Sequence, residues 1–599
     1  SPHWVDKNTK LLIKRKKEAH KIYKRSRLEA DYDNFSTLRS LCRESLNNCK
    51  QNYICSVEES IISKSETFWS YVKSKSNNSG LPKKMFLNNI SCDEDKDIAN
   101  LFASHFEKAY SAIVSDSFPA SNDVSSNSLG LNKIEIAIEL VYAKLVGLDN
   151  NYKPGPDGIP QIFLKMCAEQ LALPLQMLFQ KSLVQSRFPT AWKKSHVIPI
   201  FKNGKREDIA NYRPVSILSY IPKIFDSIVA DIISFSVKTK IIDEQHGFYK
   251  GRSTASNLFV FTEYLNNNIE QGLEVDCVFT DMSKAFDKVC INLLISKLDK
   301  LGFGNSVLSW MHSYLTHRTQ HVVINNVTSH AIYPNSGVPQ GSHLGPVLFS
   351  IYINDVKSVI FNSKFLLYAD DLKIYKTISS NDDQLKLQED LYRLERWCKV
   401  NHLELNISKC KAIRFSKKSD YQLPNYVISE VNLKSVKTFC DLGVTVDYQL
   451  NFNTHVNALL SKANRTLGII KRRCAEFSNL RTVTVLYNAY VRPILEYCSV
   501  IWSPHFNIHI DRLEAVQRRF VKFVCFHFNI IYHRNNYDNL LKYLGLAPLS
   551  LRREFVDATF VFKVFTGHIN CNSILSMFSL HVPSRCVRNT RFLDVPYHR

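Results

Sequence analysis

The sequence predicts an α/β (α+β) chain built from several lobes, and three observations support this fold class. First, 599 residues exceed what one compact core usually holds. Second, short β-rich runs such as residues 196–201, 275–280 and 364–368 alternate with amphipathic helical segments between about residues 135 and 446. Third, the segments on either side of this mixed region have the spacing of helices.

The charge balance is strongly basic and unevenly distributed. The 77 Lys and Arg residues exceed the 55 Asp and Glu residues, which gives a formal net charge of +22. Such an excess attracts polyanions, most commonly nucleic acid. Ten of the cations and one acid, Glu18, fall between residues 7 and 27, in a stretch of good helix formers. This helix either presents a solvated face or lies on RNA, and the sequence leaves both interpretations open.

Cysteine usage and hydropathy bear on the compartment. The fifteen cysteines are scattered without a C-x-x-C pair, which is typical of free thiols in a reducing interior. We find no signal peptide and no apolar run long enough to cross a bilayer, so we expect no membrane partner. These features predict an intracellular protein of the nucleus, the cytoplasm or both. The first residue is Ser1, from which we expect a fragment or a processed piece.

Two aspartate positions have the pattern of a metal-dependent phosphoryl-transfer site. Asp281 ends a β-like run, and Asp370 and Asp371 occupy a tight turn between two apolar strands. Two cations that clamp the attacking and leaving oxygens need at least two such carboxylates on rigid elements. Either position alone would more often be a helix cap or an ordinary turn. Two adjacent strands of one sheet would place Asp281 and Asp370 side by side.

Three runs in a fixed order contain or separate these aspartates: residues 279–289 (FTDMSKAFDKV), 337–349 (GVPQGSHLGPVLF) and 368–371 (YADD). They resemble motifs A, B and C of reverse transcriptases, most closely those of jockey-like non-LTR (LINE-type) retrotransposons. Upstream, residues 211–216 (NYRPVS) and 245–254 (QHGFYKGRST) are similar to the finger motifs of the same family. Downstream, the resemblance continues through residues 397–410, 441–444 (DLGV), 491–497 (VRPILEY) and 516–519 (VQRR).

The resemblance implies a right-hand polymerase with an antiparallel palm sheet. On that basis we divide the chain into four regions. They are a basic helical N-terminal region (1–134), the fingers and palm (135–446, with core motifs in 182–446), a helical thumb (447–530) and a small C-terminal region (531–599).

The resemblance also implies roles for individual residues. Asp281, Asp370 and Asp371 would be the catalytic residues and would bind two Mg²⁺ ions, with Mn²⁺ as a substitute. Phe286 would be the steric gate against a ribose 2′-hydroxyl. The remaining candidates are Gln340 beside the incoming nucleotide, Arg213 and Lys202 at its triphosphate, and Lys409 as a general acid for the leaving pyrophosphate.

A helix in the predicted thumb has one apolar and one basic face. Its apolar positions recur from Val456 to Cys474 at helical spacing. The basic face would contact the template–primer backbone, or would simply be solvated. It carries Lys462, Arg465, Lys471, Arg472 and Arg473.

These features predict an RNA-directed DNA polymerase that copies element RNA, in relatives by target-primed retrotransposition. Its partners would be an RNA template, a DNA primer or RNA–DNA hybrid, and dNTPs. We expect an endonuclease domain upstream or supplied elsewhere, and the sequence leaves the oligomeric state open. Two alternatives remain: an RNA-dependent RNA polymerase, and a catalytically inactive RNA-binding relic. Phe286 and Ala369 favour DNA synthesis, and all three aspartates survive in an open frame.

Overall fold

The computed structural model describes residues 2, 4–75, 80–88, 90–110, 130–418, 424–533 and 536–579. The chain separates into two compact units. One consists of Ser1–Gly80 and Phe452–Phe560, and the other of Leu81–Asn451 and Val561–Arg599. Neither unit contains, within these residues, a helix with the length and apolar character that a bilayer span requires.

The helices and strands are numbered here in chain order. The helices are α1 (Lys7–Ser26), α2 (Glu29–Ser63), α3 (Thr67–Ser74), α4 (Asp95–Glu107), α5 (Ile138–Val146), α6 (Gln161–Met166), α7 (Ala168–Val184), α8 (Tyr220–Ser236), α9 (Thr254–Glu270), α10 (Ala285–Lys288), α11 (Ile291–Lys300), α12 (Asn305–Leu315), α13 (Leu344–Tyr352), α14 (Asn381–Val400), α15 (Asn453–Arg473), α16 (Leu480–Leu486), α17 (Arg492–Glu496), α18 (Ser499–Trp502), α19 (Asn507–His527), α20 (Tyr537–Tyr543), α21 (Leu549–Phe565) and α22 (Asn572–Leu575). The strands are β1 (Met85–Leu87), β2 (Ile90–Cys92), β3 (Lys194–Phe201), β4 (Tyr212–Ile217), β5 (Glu274–Thr280), β6 (Thr319–Ile324), β7 (Val327–Thr328), β8 (Lys364–Tyr368), β9 (Asp371–Ile378), β10 (Lys411–Phe415), β11 (Val427–Ile428), β12 (Val431–Asn432), β13 (Lys434–Ser435), β14 (Thr438–Asp441) and β15 (Val444–Asp447).

The unit formed by Ser1–Gly80 and Phe452–Phe560 is helical in its described part. Helix α1 begins where the Asp6 side chain accepts a 2.6 Å hydrogen bond from the Thr9 N–H, and it ends at Arg27 in the left-handed conformation. Helix α15 buries the apolar face predicted from its spacing, including Val456 and Ile470. The predicted basic helix and the predicted thumb helix are therefore both present.

Segments that are far apart in the sequence join in this unit. Residues 1–80 pack with residues 452–560. One contact between them is polar and lies in the core: Glu58 of α2 is 2% exposed and accepts a 2.8 Å hydrogen bond from the Asn479 N–H, which precedes α16. The four-region division expected from the sequence stays a prediction.

Residues 81–110 pack on a four-stranded sheet of order β4-β3-β6-β7. Met85 and Phe102 are fully buried there against Val197 of β3 and Val322 of β6. Apolar side chains from α4 thus cover one face of this sheet, which carries the predicted finger motif of β4.

The second sheet has the order β13-β10-β5-β9-β8, and its four strands β10, β5, β9 and β8 are antiparallel. This arrangement confirms the antiparallel sheet expected for a palm. The central strand β5 is buried along almost its whole length. On one face Phe261 of α9 contacts Phe279, Tyr375 and Phe415. On the other, Val278 and Ile374 join the main hydrophobic core.

Candidate active site

The three predicted catalytic aspartates lie at one end of the central strands. In the β5–β9 pair, Thr280 is opposite Leu372, so Asp281 follows at the same edge at which Asp371 begins β9. In the β8–β9 hairpin Tyr368 pairs with Asp371, which leaves Ala369 and Asp370 as a two-residue turn. A separation of 89 residues between Asp281 and Asp370 is thus closed by strand pairing.

The electrostatics of these groups show that they interact. Desolvation raises the pKa of Asp370, and the negative charge of Asp281 raises it further, while Arg213 and Lys409 act in the opposite direction. Desolvation, followed by the charges of Asp370, Asp441 and Asp281, raises the pKa of Asp371 to about 6. Carboxylates that repel one another in this way favour a cation between them.

The donor set suits a hard divalent ion, because carboxylate oxygens are the ligands that Mg²⁺ prefers. Asp281 already has one cationic neighbour: the Lys409 ammonium lies 2.9 Å from Asp281 Oδ2. Within the described part of the chain, no three His, Cys, Asp or Glu side chains stand in the arrangement of a preformed metal site. The three aspartates share one edge of the sheet, but their side chains are not arranged around a common point.

The predicted triphosphate ligands lie at the end of the β3–β4 pair. Arg213 is opposite Ile200, and the Lys202 N–H donates to the Asn211 carbonyl at 2.9 Å just beyond β3. Both side chains are exposed. Partial desolvation lowers the pKa of the exposed Lys202, as do the positive charges of Arg213 and Lys409, whereas the charge of Asp281 raises it. Hence these cations lie within electrostatic range of the aspartates.

The predicted gate and nucleotide neighbour lie in a half-buried layer. The Phe286 ring stacks on Phe349 with centroids 4.2 Å apart and meets Phe248 edge-on at 6.0 Å. Gln340 Nε2 donates to Asp287 Oδ1 at 2.7 Å, so it is bonded to the residue that follows the gate. Helix α10 ends at Lys288, two residues after the gate, and α11 begins at Ile291.

One ion pair beside the aspartates was not predicted from the sequence. Lys373, two residues after Asp371, forms a buried ion pair with Asp441, and both side chains are at most 7% exposed. The signal was a lysine between the apolar Leu372 and Ile374 of β9, but its partner is 68 residues away. The charge of Lys373 lowers the pKa of Asp371, and that of Asp441 raises it.

The predicted thumb cations belong to the helical unit. Lys462, Arg465 and Arg472 are exposed, whereas Lys471 and Arg473 are half-buried. The Lys471 ammonium lies 5.5 Å from the Phe523 ring centre, and burial lowers its pKa. Three of the five predicted cations therefore remain available at the helix surface.

Comparison with known proteins agrees with this geometry. The family described as reverse transcriptase (RNA-dependent DNA polymerase) matches residues 200–446, which include the two β5–β9 and β8–β9 pairs. Reverse transcriptase domains generally use divalent metal ions, a nucleic acid template and nucleotide substrates.

Three relatives from Drosophila melanogaster show how far the similarity reaches. The probable RNA-directed DNA polymerase from transposon BS is 28% identical over 71% of this chain and 49% of its own length. That from transposon X-element is 28% identical over 63% of this chain and 43% of its own length. The RNA-directed DNA polymerase from mobile element jockey is 26% identical over 64% of this chain and 43% of its own length.

The chain thus spans about half the length of the curated relatives it matches. The antiparallel sheet, the aspartates at its edge and these matches agree on one assignment. Residues 200–446 match the reverse transcriptase family, and the chain is similar to RNA-directed DNA polymerases of non-LTR retrotransposons.

Proposed function

We propose that this chain copies RNA into DNA by two-metal phosphoryl transfer. The observation that carries the proposal is the register of β5, β9 and β8, which brings Asp281, Asp370 and Asp371 to one edge of the sheet. Asp281, Asp370 and Asp371 would hold two Mg²⁺ ions, for which Mn²⁺ is a substitute. When bound, the ions neutralise charge on the attacking and leaving oxygens.

The chain's own cations act on the triphosphate. Arg213 binds phosphate oxygens through its planar fork, and Lys202 adds a point charge beside it. Lys409 would protonate the leaving pyrophosphate, and its 2.9 Å contact with Asp281 supports a position at the reacting groups. To release Asp281 for metal binding, the Lys409 ammonium must move away from the carboxylate.

Sugar and base selection involve the layer behind the aspartates. Phe286 excludes the ribose 2′-hydroxyl, and its stacking on Phe349 at 4.2 Å supports a rigid ring that cannot move aside. Gln340 borders the incoming nucleotide, with its amide oriented by Asp287. A rigid gate of this kind favours a DNA polymerase over the alternative, an RNA-dependent RNA polymerase.

The substrate is a primer–template duplex, with the template strand of RNA. The exposed cations Lys462, Arg465 and Arg472 of α15 contact its phosphates without reading bases. In the cell the primer would be a nick in chromosomal DNA, with an endonuclease encoded upstream or supplied elsewhere. A chromosomal primer would be extended in the nucleus, and the proposed compartment of the protein is the nucleus, the cytoplasm or both.

A primer-extension assay tests the proposal. The purified chain is given a DNA primer on an RNA template with Mg²⁺ and either dNTPs or NTPs. We expect extension with dNTPs but not with NTPs. Asp370→Asn should reduce the extension to background and leave RNA binding unchanged. Asp149→Asn, at an exposed carboxylate distant in sequence from the site motifs, is the matched control. Extension with NTPs would favour the RNA polymerase, and binding without extension would favour the inactive relic.

A further inference from the structure

A short segment before α9 forms an additional edge to the palm sheet. The Leu367 N–H donates to the Glu244 carbonyl at 2.9 Å, and the His246 N–H donates to the Leu367 carbonyl at 2.9 Å. Gln245 thereby pairs with Leu367 in parallel. The outer strand β8 is therefore hydrogen-bonded on both sides at Leu367, two residues before the turn formed by Ala369 and Asp370.

The Gln245 side chain continues this contact onto the turn itself. Gln245 is 1% exposed, and its Oε1 accepts hydrogen bonds from the Gly247 N–H at 2.7 Å and the Ala369 N–H at 3.1 Å. Its Nε2 faces the Ala369 carbonyl at 3.5 Å. Because two backbone donors meet one oxygen, only one orientation of the amide satisfies them.

Ala369 needs such support, because its backbone conformation is unfavourable. Its φ is +56°, in the left-handed region that residues with a Cβ rarely adopt. Gly247 lies so close that a Cβ at that position would be 2.2 Å from the Ala369 nitrogen. The turn of the β8–β9 hairpin, which carries Asp370, thus packs directly on the segment 245–247.

The segment is itself anchored. Arg252 donates from Nη1 to the carbonyls of Ile242 and Gln245, both at 2.8 Å. His246 Nδ1 lies 2.8 Å from the hydroxyl of Ser256 in α9. A rigid support of this kind can transmit a fixed position to the turn.

From these contacts we infer that Gln245 is a positioning residue, which holds Ala369 in its left-handed conformation and thereby sets where the Asp370 carboxylate meets the metal ions. The inference rests on the proposed function and deepens it. Gln245 contacts no reacting group; it acts through the backbone of the turn. Residues that orient metal ligands in this way typically change metal affinity or activity by about 10–100-fold when replaced.

The test compares two glutamines whose side chains each bond the backbone N–H and carbonyl of one residue. Gln245→Met removes the hydrogen bonds and keeps the side-chain length. Gln388→Met is the matched control, since Gln388 of α14 bonds the N–H and carbonyl of Val427 in β11 at 2.9 and 2.8 Å. Mn²⁺ binding is followed by electron paramagnetic resonance, with a dideoxy-terminated primer on RNA and the next dNTP. The Mg²⁺ concentration for half-maximal extension is measured in parallel.

We expect Gln245→Met to weaken Mn²⁺ binding and raise the Mg²⁺ requirement by about tenfold or more, with the dNTP KM changed by less than about threefold. Gln388→Met should leave both metal measurements unchanged. Gln245→Glu keeps an acceptor oxygen for the two N–H groups, so it should restore part of the loss. Equal metal dependence in Gln245→Met and wild type, or equal losses in Gln245→Met and Gln388→Met, would overturn the inference.

Two further arms keep the result decisive. If Gln245→Met does not fold, Gln245→Asn is measured instead. The asparagine amide is one methylene too short to reach Ala369, so we expect the same loss of Mn²⁺ binding. Unchanged Mn²⁺ binding in Gln245→Asn would count against the inference. If wild type binds Mn²⁺ but extends no primer, the proposed function fails, while the Mn²⁺ titration still decides the role of Gln245.

Discussion

The carboxyl of Asp287 should make the stability of the protein depend on pH. It is 6% exposed, and burial raises its pKa to about 6 from 3.8, although the hydrogen bond from Gln340 and the charge of Lys284 oppose the shift. The folded protein therefore binds the proton more tightly than the unfolded chain does. Stability contributed by the protonated group is present below about pH 3.8 and is lost as the pH rises towards 6.

The size of the effect follows from the shift. A difference of about 2.2 between the two pKa values corresponds to about 3 kcal/mol, of which about 2 kcal/mol is lost between pH 4.5 and 7. Asp287→Asn removes the ionisation and keeps an oxygen that can accept from Gln340. Any fixed cost of the new amide is the same at both pH values. The free energy of unfolding of the variant, relative to wild type, should thus rise by about 2 kcal/mol over this range.

Urea denaturation of both proteins at the two pH values measures this change. All other titrating groups are common to the pair, so their contributions cancel in the difference. Asp149→Asn, at an exposed carboxylate of the same unit, is the control and should show a much smaller pH-dependent difference. A change below about 0.5 kcal/mol for Asp287→Asn would refute the assignment of a destabilising buried charge.

Three further predictions concern the gate, a buried ion pair and the helix α15. Phe286→Val should raise ribonucleotide incorporation more than it lowers dNTP use, and unchanged sugar discrimination would assign the ring to core packing alone. Arg414 bonds Asp276 at 2.7 and 2.8 Å. Arg414→Met should lower the free energy of unfolding by about 3–5 kcal/mol, because it leaves the buried Asp276 without its ion-pair partner, with the Tyr426 hydroxyl still donating to it; a loss below about 1 kcal/mol in urea denaturation would contradict this. The exposed cations of α15 are Lys462, Arg465 and Arg472. Replacing all three with Ala should reduce the slope of log affinity for an RNA–DNA duplex against log salt by about 2–3. An unaltered slope would indicate a solvated face.

Local patterns in the sequence determined much of the secondary structure. The β-rich runs at residues 196–201, 275–280 and 364–368 lie within β3, β5 and β8, and the spacing from Val456 to Cys474 corresponds to the buried face of α15. These predictions succeed because a strand or helix next to a core repeats its apolar positions with the period of its own backbone. The order of the motifs was also sufficient to identify the reverse transcriptase domain, because residues 200–446 match that family.

Only the tertiary structure decided which elements and polar groups meet. The grouping of residues 1–80 with residues 452–560 and the pairing of Lys373 with Asp441 are examples. So is the bond from Gln245 to the backbone of Ala369, across 124 residues. The period of the apolar positions predicts that a side chain is buried, but it does not predict which residues pack against that side chain. A buried polar group must find a partner to offset its lost hydration, and that partner is set by strand register and helix packing, which a linear pattern does not contain.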